Sequence, residues 1–147
     1  MVKHQQPLIG AYLILIENNK ILLQKRKGGV LDGQYSPVAG HTEEGETVID
    51  AIIREAREEA NIILKAEDLK VKVISQRPNA PYKGTPTDII DFYILATRYQ
   101  GKLHNNEPNK CYEFIFSPLD ELPKETISHV QKAIKAYLHN EDFIICQ

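Results

Sequence analysis

Two rhythms of apolar and polar positions alternate along the chain. Leu8-Ile9-Gly10-Ala11-Tyr12-Leu13-Ile14-Leu15-Ile16 is a β-type apolar run. Glu17-Asn18-Asn19-Lys20 supplies a turn, and Ile21-Leu22-Leu23-Gln24-Lys25-Arg26 a second strand, so the two predict a hairpin. Lys27–Gln34 and Ser36–Gly45, punctuated by glycines and Pro37, read as loops. From Thr47 to Ala60 the period becomes helical: Val48, Ile49, Ile52, Ile53, Ala56 and Ala60 form one apolar stripe. Strand patterns return near Val71–Ser75, Ile89–Thr97 and Tyr112–Phe116. The Lys70–Asp88 region, which overlaps the first of these, holds Pro78, Pro81, Gly84 and Pro86 and reads as a substrate-side loop. Pro118–Pro123 predicts a short helical turn, and Glu125–Leu138 a second amphipathic helix capped by Thr126 or by Lys124–Glu125 just ahead. Strands mixed with two longer helices predict an α/β fold, a sheet sandwiched between helices, in a single domain over residues 1–147.

Composition narrows the function classes. A chain of 147 residues is long enough for a real core, and its 26% charged and 42% hydrophobic content is that of a globular domain. The net charge of −2 lacks the basic excess of a dedicated nucleic-acid binder, yet is compatible with a small phosphorylated ligand. No apolar run reaches the roughly 20 residues of a membrane span, and Met1–Pro7 lacks the apolar core of a signal peptide. Cys111 and Cys146 fit no metal or redox spacing and read as reduced thiols, which predicts a cytoplasmic protein.

Candidate chemistry concentrates on the first helix. At about 100° per residue, Glu55, Glu58 and Glu59 share one face as i, i+3 and i+4. Crowded carboxylates repel one another unless a cation neutralises them, and clustered hard oxygens suit Mg²⁺ or Mn²⁺. A solvated surface helix is the competing reading, with Asp50–Arg54 and Arg54–Glu58 as i,i+4 ion pairs. Against it stands the position of Glu58 and Glu59 in the last turn, where the helix dipole disfavours negative charge.

The spacing of the whole segment decides between them. Gly40, five residues, Glu46, seven residues, then Arg54-Glu55-Ala56-Arg57-Glu58-Glu59-Ala60-Asn61-Ile62 resembles the box of the Nudix family over 23 residues. Every fixed position matches except the last glycine, which is Asn61 here. A residue following a helix often takes the left-handed conformation, and Asn tolerates it best after glycine. The substitution should therefore keep the turn. Asp32–His41 is similar to the family's lead-in, and Gly101–Pro108 to the loop where many members place a further acidic ligand.

The resemblance implies a Nudix fold and a Mg²⁺-dependent pyrophosphohydrolase, with Mn²⁺ as a substitute. It implies Glu58 and Glu59 as metal ligands, Glu55 as ligand or water-orienting base, and Arg54 as the residue that orients them. Ala39 would add a carbonyl and Glu107 a carboxylate to the metal. Arg26 and Gly40 would face the substrate phosphate, and Glu46 would brace the helix start. Arg77 is a weaker phosphate candidate, Tyr12, Tyr35, Tyr82, Asp91 and Phe92 are candidates for base recognition with a core or surface role as the favoured alternative for each, and His41 is expected to pack on Tyr35. The implied substrate is a nucleoside diphosphate derivative, a nucleoside triphosphate or a nucleotide sugar. RNA 5′ ends are an alternative that the acidic balance disfavours. A nucleotide-sensing module without catalysis is another, but it should lose box glutamates, and all are present. Homodimers are frequent in the family.

Overall fold

The computed structural model describes residues 2–147. The first strand, β1 (Leu8–Glu17), turns through Asn18 and Asn19, both at positive φ, into β2 (Lys20–Arg26). The hairpin is real but brief: only Ile16 with Ile21 and Glu17 with Lys20 pair across it. Beyond these the strands part. β1 runs parallel to β6 (Thr85–Ala96), and β2 runs antiparallel to β7 (Cys111–Pro118). The sheet order is β3 (Tyr35–Ser36), β2, β1, β6, β5 (Leu69–Tyr82), β8 (Phe143–Ile145), with β4 (Ala39–His41) on β1 and β7 on β2.

Where apolar residues alternate along β1, two cores form on opposite faces of the sheet. Ala11, Leu13 and Leu15 point to helix α1 (Val48–Ala60), where they meet Ala51, Ile52, Ala56 and Ala60. Ile14 joins Tyr93 on the other face under helix α2 (Ser128–Leu138), packed on Val130, Ala133 and Ile134. This is the α/β/α sandwich that the sequence predicts.

Several boundaries differ from the sequence reading. The Ser36–Gly45 loop contains two short strands, β3 (Tyr35–Ser36) on β2 and β4 (Ala39–His41) on β1. Neither is long enough to show a period. Lys70–Asp88 is not a loop: it takes in nearly all of β5 (Leu69–Tyr82) and the start of β6, which form a long hairpin closed by Lys83 and Gly84 at positive φ. A bulge between Arg77 and Ala80, with Asn79 at φ 52°, absorbs Pro78, while Pro81 and Pro86 face one another near the turn. Helix α2 starts at Ser128 rather than Glu125, because Tyr35 N donates to Glu125 O and Ile127 N to Tyr35 O, which holds that stretch extended. Ile127, not Thr126, occupies the cap position and gives no side-chain hydrogen bond. Of Pro118–Pro123, Pro118 ends β7 and residues 119–121 make a turn rather than a helix, and a short strand β8 (Phe143–Ile145) pairs with β5 at the sheet edge.

Candidate active site

Helix α1 begins with a reciprocal capping box. Thr47 Oγ1 accepts from Asp50 N at 3.0 Å, and Asp50 Oδ2 accepts from Thr47 N at 3.2 Å. Asp50 is thereby taken from the ion pair with Arg54 that helical spacing suggested. The helix ends at Asn61, in the left-handed region at φ 60° and ψ 27°, as the substitution for glycine requires. Its side chain donates to Lys102 O at 3.0 Å. The loop that follows closes the helix end: His104 N donates to Ala60 O, Asn106 N to Glu59 O, and the Asn106 side chain to Arg57 O. Carbonyls left over by the helix thus anchor the loop that carries Glu107.

Arg54 organises the acidic cluster. Its Nε and Nη2 fork onto Glu46 at 2.8 and 2.9 Å, and Nη2 also donates to His41 O at 3.1 Å. Nη1 donates to Glu55 at 2.6 Å and to Glu58 at 3.4 Å. The Arg54 pair and the Glu43 backbone N–H hold the Glu46 carboxyl well below the usual carboxylate range. Glu46 therefore braces Arg54 directly, while the helix start belongs to Thr47 and Asp50.

A pocket of about 220 Å³ lies against this cluster, lined by Gln24, Arg26, Ala39, Gly40, Glu55, Glu59, Glu107, Lys110 and Cys111. Glycine at position 40 leaves room for Glu55, because a methyl group at its Cα would overlap the Glu55 carboxyl and push it aside. Glu59 is the deepest acid. Gln24 Nε2 donates to its Oε1 at 2.9 Å, while its Oε2 is buried without a hydrogen-bond partner. Burial, then the neighbouring Glu55 carboxylate, push the Glu59 carboxyl up to about 9. Such a proton is what a hard cation replaces when it binds carboxylates.

The structure brings Glu55, Glu59, Glu107, Ala39, Gly40 and Arg26 to one pocket, and leaves Glu58 at the outer side of the helix with its side chain 56% exposed. Glu107 leans to Lys110 at 3.4 Å. Among the described residues no three His, Cys, Asp or Glu side chains already stand in ligating geometry. Three of the acids are engaged by cations instead: Arg54 pairs with Glu55 and Glu58, and Lys110 with Glu107. The orphaned Glu59 oxygen and the clustered hard oxygens nevertheless fit a divalent cation. Gln24, Lys110 and Cys111 were missed by sequence reasoning. Only Gln24 left a trace, as a polar residue closing an apolar strand.

Two further placements differ from expectation. His41 packs edge-on against Tyr82, ring centroids 5.3 Å apart, and not on Tyr35, whose ring faces Lys25. Asp91 is fully buried in an ion pair with Arg77 at 2.7 Å. Both cysteines are free and buried, and among the described residues no helix is long and apolar enough to cross a membrane.

Known proteins share this architecture. The NUDIX domain model matches residues 6–138. An ADP-ribose pyrophosphatase of Methanocaldococcus jannaschii is 33% identical over 132 residues, covering 90% of this chain and 73% of the relative. A crystal structure of a MutT NUDIX hydrolase from Burkholderia pseudomallei superposes with a TM-score of 0.78 at 24% identity, over 89% of this chain and 98% of that one. A bifunctional NMN adenylyltransferase/ADP ribose pyrophosphatase from Francisella tularensis, complexed with AMP and a Mn ion, gives 0.69 at 19% identity, over 94% of this chain and 43% of that one. With its box on a capped helix and its fold shared over nearly all its length, the chain belongs to the Nudix family, hydrolases of phosphoric anhydride bonds.

Proposed function

We propose that this single domain hydrolyses the diphosphate linkage of a nucleoside diphosphate derivative, of the nucleoside triphosphate or nucleotide-sugar type, with Mg²⁺. The observation that carries the reading is Glu59: a buried carboxyl with one orphaned oxygen, set beside Glu55 and Glu107. The name of the archaeal relative supports the nucleotide-sugar type.

Glu55, Glu59, Glu107 and the Ala39 carbonyl would hold the cation, with Glu58 at the rim. A divalent ion bound there would neutralise phosphate oxygens and lower the pKa of the attacking water. The chain's own residues do the rest. Arg54 fixes the Glu55 carboxyl at 2.6 Å in the wall of the pocket, where it would serve as ligand or base. Gln24 holds Glu59. Gly40 removes the side chain that would keep a phosphate off the strand, and Arg26 offers a cation to the departing phosphate.

A hydrolysis screen with Mg²⁺ over nucleoside triphosphates, nucleotide sugars, dinucleoside polyphosphates and triphosphorylated RNA tests the reading. Turnover of one nucleotide class, with cleavage inside the diphosphate, is expected. Turnover of RNA ends alone would shift the reading to a 5′-pyrophosphohydrolase. Tight nucleotide binding without turnover would leave a sensing module.

A further inference from the structure

A second cleft, of about 430 Å³, shares Arg26, Ala39 and Gly40 with the carboxylate pocket, so one ligand can occupy both. Its walls are aromatic. On one side Tyr12 meets His129 edge-on at 5.9 Å, and on the other His41 meets Tyr82 at 5.3 Å. Arg77 and Lys83 supply the charge, and no carboxylate lines the cleft. Burial, then the nearby arginines, push the His129 imidazole down to about 3, so it stays neutral at physiological pH.

The Arg77 guanidinium is set in a particular way. Its Nε and Nη2 donate to the Asp91 carboxylate at 2.7 and 3.4 Å. Asp91 is fully buried and Arg77 is 14% exposed, so the arginine faces the cleft and the acid lies behind it. Gly10 makes room for this pair, since a methyl group there would overlap Asp91 Oδ1. Among the described residues nothing accepts from Nη1, and Nη2 makes only the 3.4 Å contact to Asp91, so one hydrogen on each is left as a two-donor fork at the Nη1–Nη2 end. Buried ion pairs contribute little net stability. Here the pair fixes an arginine in one orientation, with its free end toward an aromatic slot.

We propose that this cleft seats the nucleobase, and that Arg77 selects a base edge carrying two adjacent acceptors, as guanine does with O6 and N7, over adenine. Aromatic walls suit a planar heterocycle, and an arginine fork pairs with O6 and N7 together. Adenine puts an amino donor where guanine has O6, and that donor would oppose the fork with no carboxylate in the cleft to accept it. The inference rests on the diphosphate lying in the carboxylate pocket, as proposed above.

Binding of nucleoside monophosphates tests it without turnover. Titration calorimetry with GMP, AMP and ribose 5-phosphate uses the metal-free wild-type protein, Arg77→Lys and the double variant Arg77→Gln/Asp91→Asn. The double variant removes both buried charges together, and Arg77→Lys keeps Asp91 paired while losing the fork. Expected is GMP binding at least about tenfold tighter than AMP in the wild type. In both variants that ratio should fall to within about twofold, with thermal unfolding still cooperative. AMP binding as tightly as GMP, or a GMP preference that survives both variants, would overturn the proposal. So would ribose 5-phosphate binding as tightly as GMP in an Arg77-dependent way, since the cleft would then hold phosphate. A parallel comparison of GDP-linked and ADP-linked sugars separates the two readings. A GMP preference without hydrolysis of either leaves the base site standing and removes the hydrolase reading.

Discussion

Replacing Glu59 with glutamine should change how the metal-free protein responds to pH. The native carboxyl titrates at about 9 against an ordinary 4.5, because burial and Glu55 favour its protonated form. Between those values the native state holds a proton that the unfolded chain has released. Stability conferred by this group is therefore complete below pH 4.5 and is lost as pH rises toward 9. Each pH unit inside the window costs about 1.4 kcal/mol, so raising pH from 5 to 7 should remove on the order of 3 kcal/mol. A glutamine amide carries no titratable proton, so the Glu59→Gln variant should lack this slope. The assay is urea unfolding with chelator present, at half-unit steps from pH 5 to pH 8, for both proteins. Subtracting the two profiles cancels the other titrating groups. Added Mg²⁺ should stabilise the wild type more at pH 8 than at pH 6, since binding competes with the proton. Parallel profiles for wild type and Glu59→Gln would refute the reasoning.

Two other substitutions test neighbouring parts of the account. Gly40→Ala places a methyl group against the Glu55 carboxyl and should displace it from Arg54; misplacing a catalytic group by about 1 Å can cost about 100-fold, so kcat should fall by roughly 10- to 100-fold while circular dichroism stays native. Thr47→Ala removes the capping box at the far end of the same helix. It should cost about 1 kcal/mol, read as a drop of about 2–4 °C in Tm, and leave kcat unchanged.

How much was legible in the sequence follows from which interactions are local. The capped helix, its apolar stripe and the left-handed Asn61 were readable because each depends on residues within one or two turns. The hairpin of β1 and β2 was readable at its turn but not beyond. The partners that claim each strand afterwards, β6 and β7, come some 70 or more residues later in the chain. Register of that range leaves no mark in a single strand's pattern. The β5–β6 hairpin was hidden by its prolines, which sit at and beside a bulge where missing N–H groups cost nothing.

The site divides along the same line. Arg54 and its glutamates were legible from spacing on one helix. Spacing alone could not show that Arg54 turns Glu58 outward, or that only Glu55 and Glu59 of the three line the pocket. Gln24 reaches Glu59 from 35 residues away, and Arg77 meets Asp91 across two strands. Such contacts exist only once the sheet has formed. Gly10 shows the same limit: in sequence it looks like a weak point in a strand, and in the fold it is the space that Asp91 fills.

The measurement that bears most directly on the central claim is steady-state hydrolysis by Glu58→Gln and Glu59→Gln, using the best substrate from the nucleotide screen at saturating Mg²⁺. Each substitution keeps side-chain volume and removes one charge, so loss of a cation ligand should lower kcat by at least about 100-fold, near 3 kcal/mol of transition-state stabilisation. Glu59→Gln should show the larger loss, because Glu59 lies in the pocket and Glu58 at its rim. Undiminished Mg²⁺-dependent hydrolysis in Glu59→Gln would contradict the account.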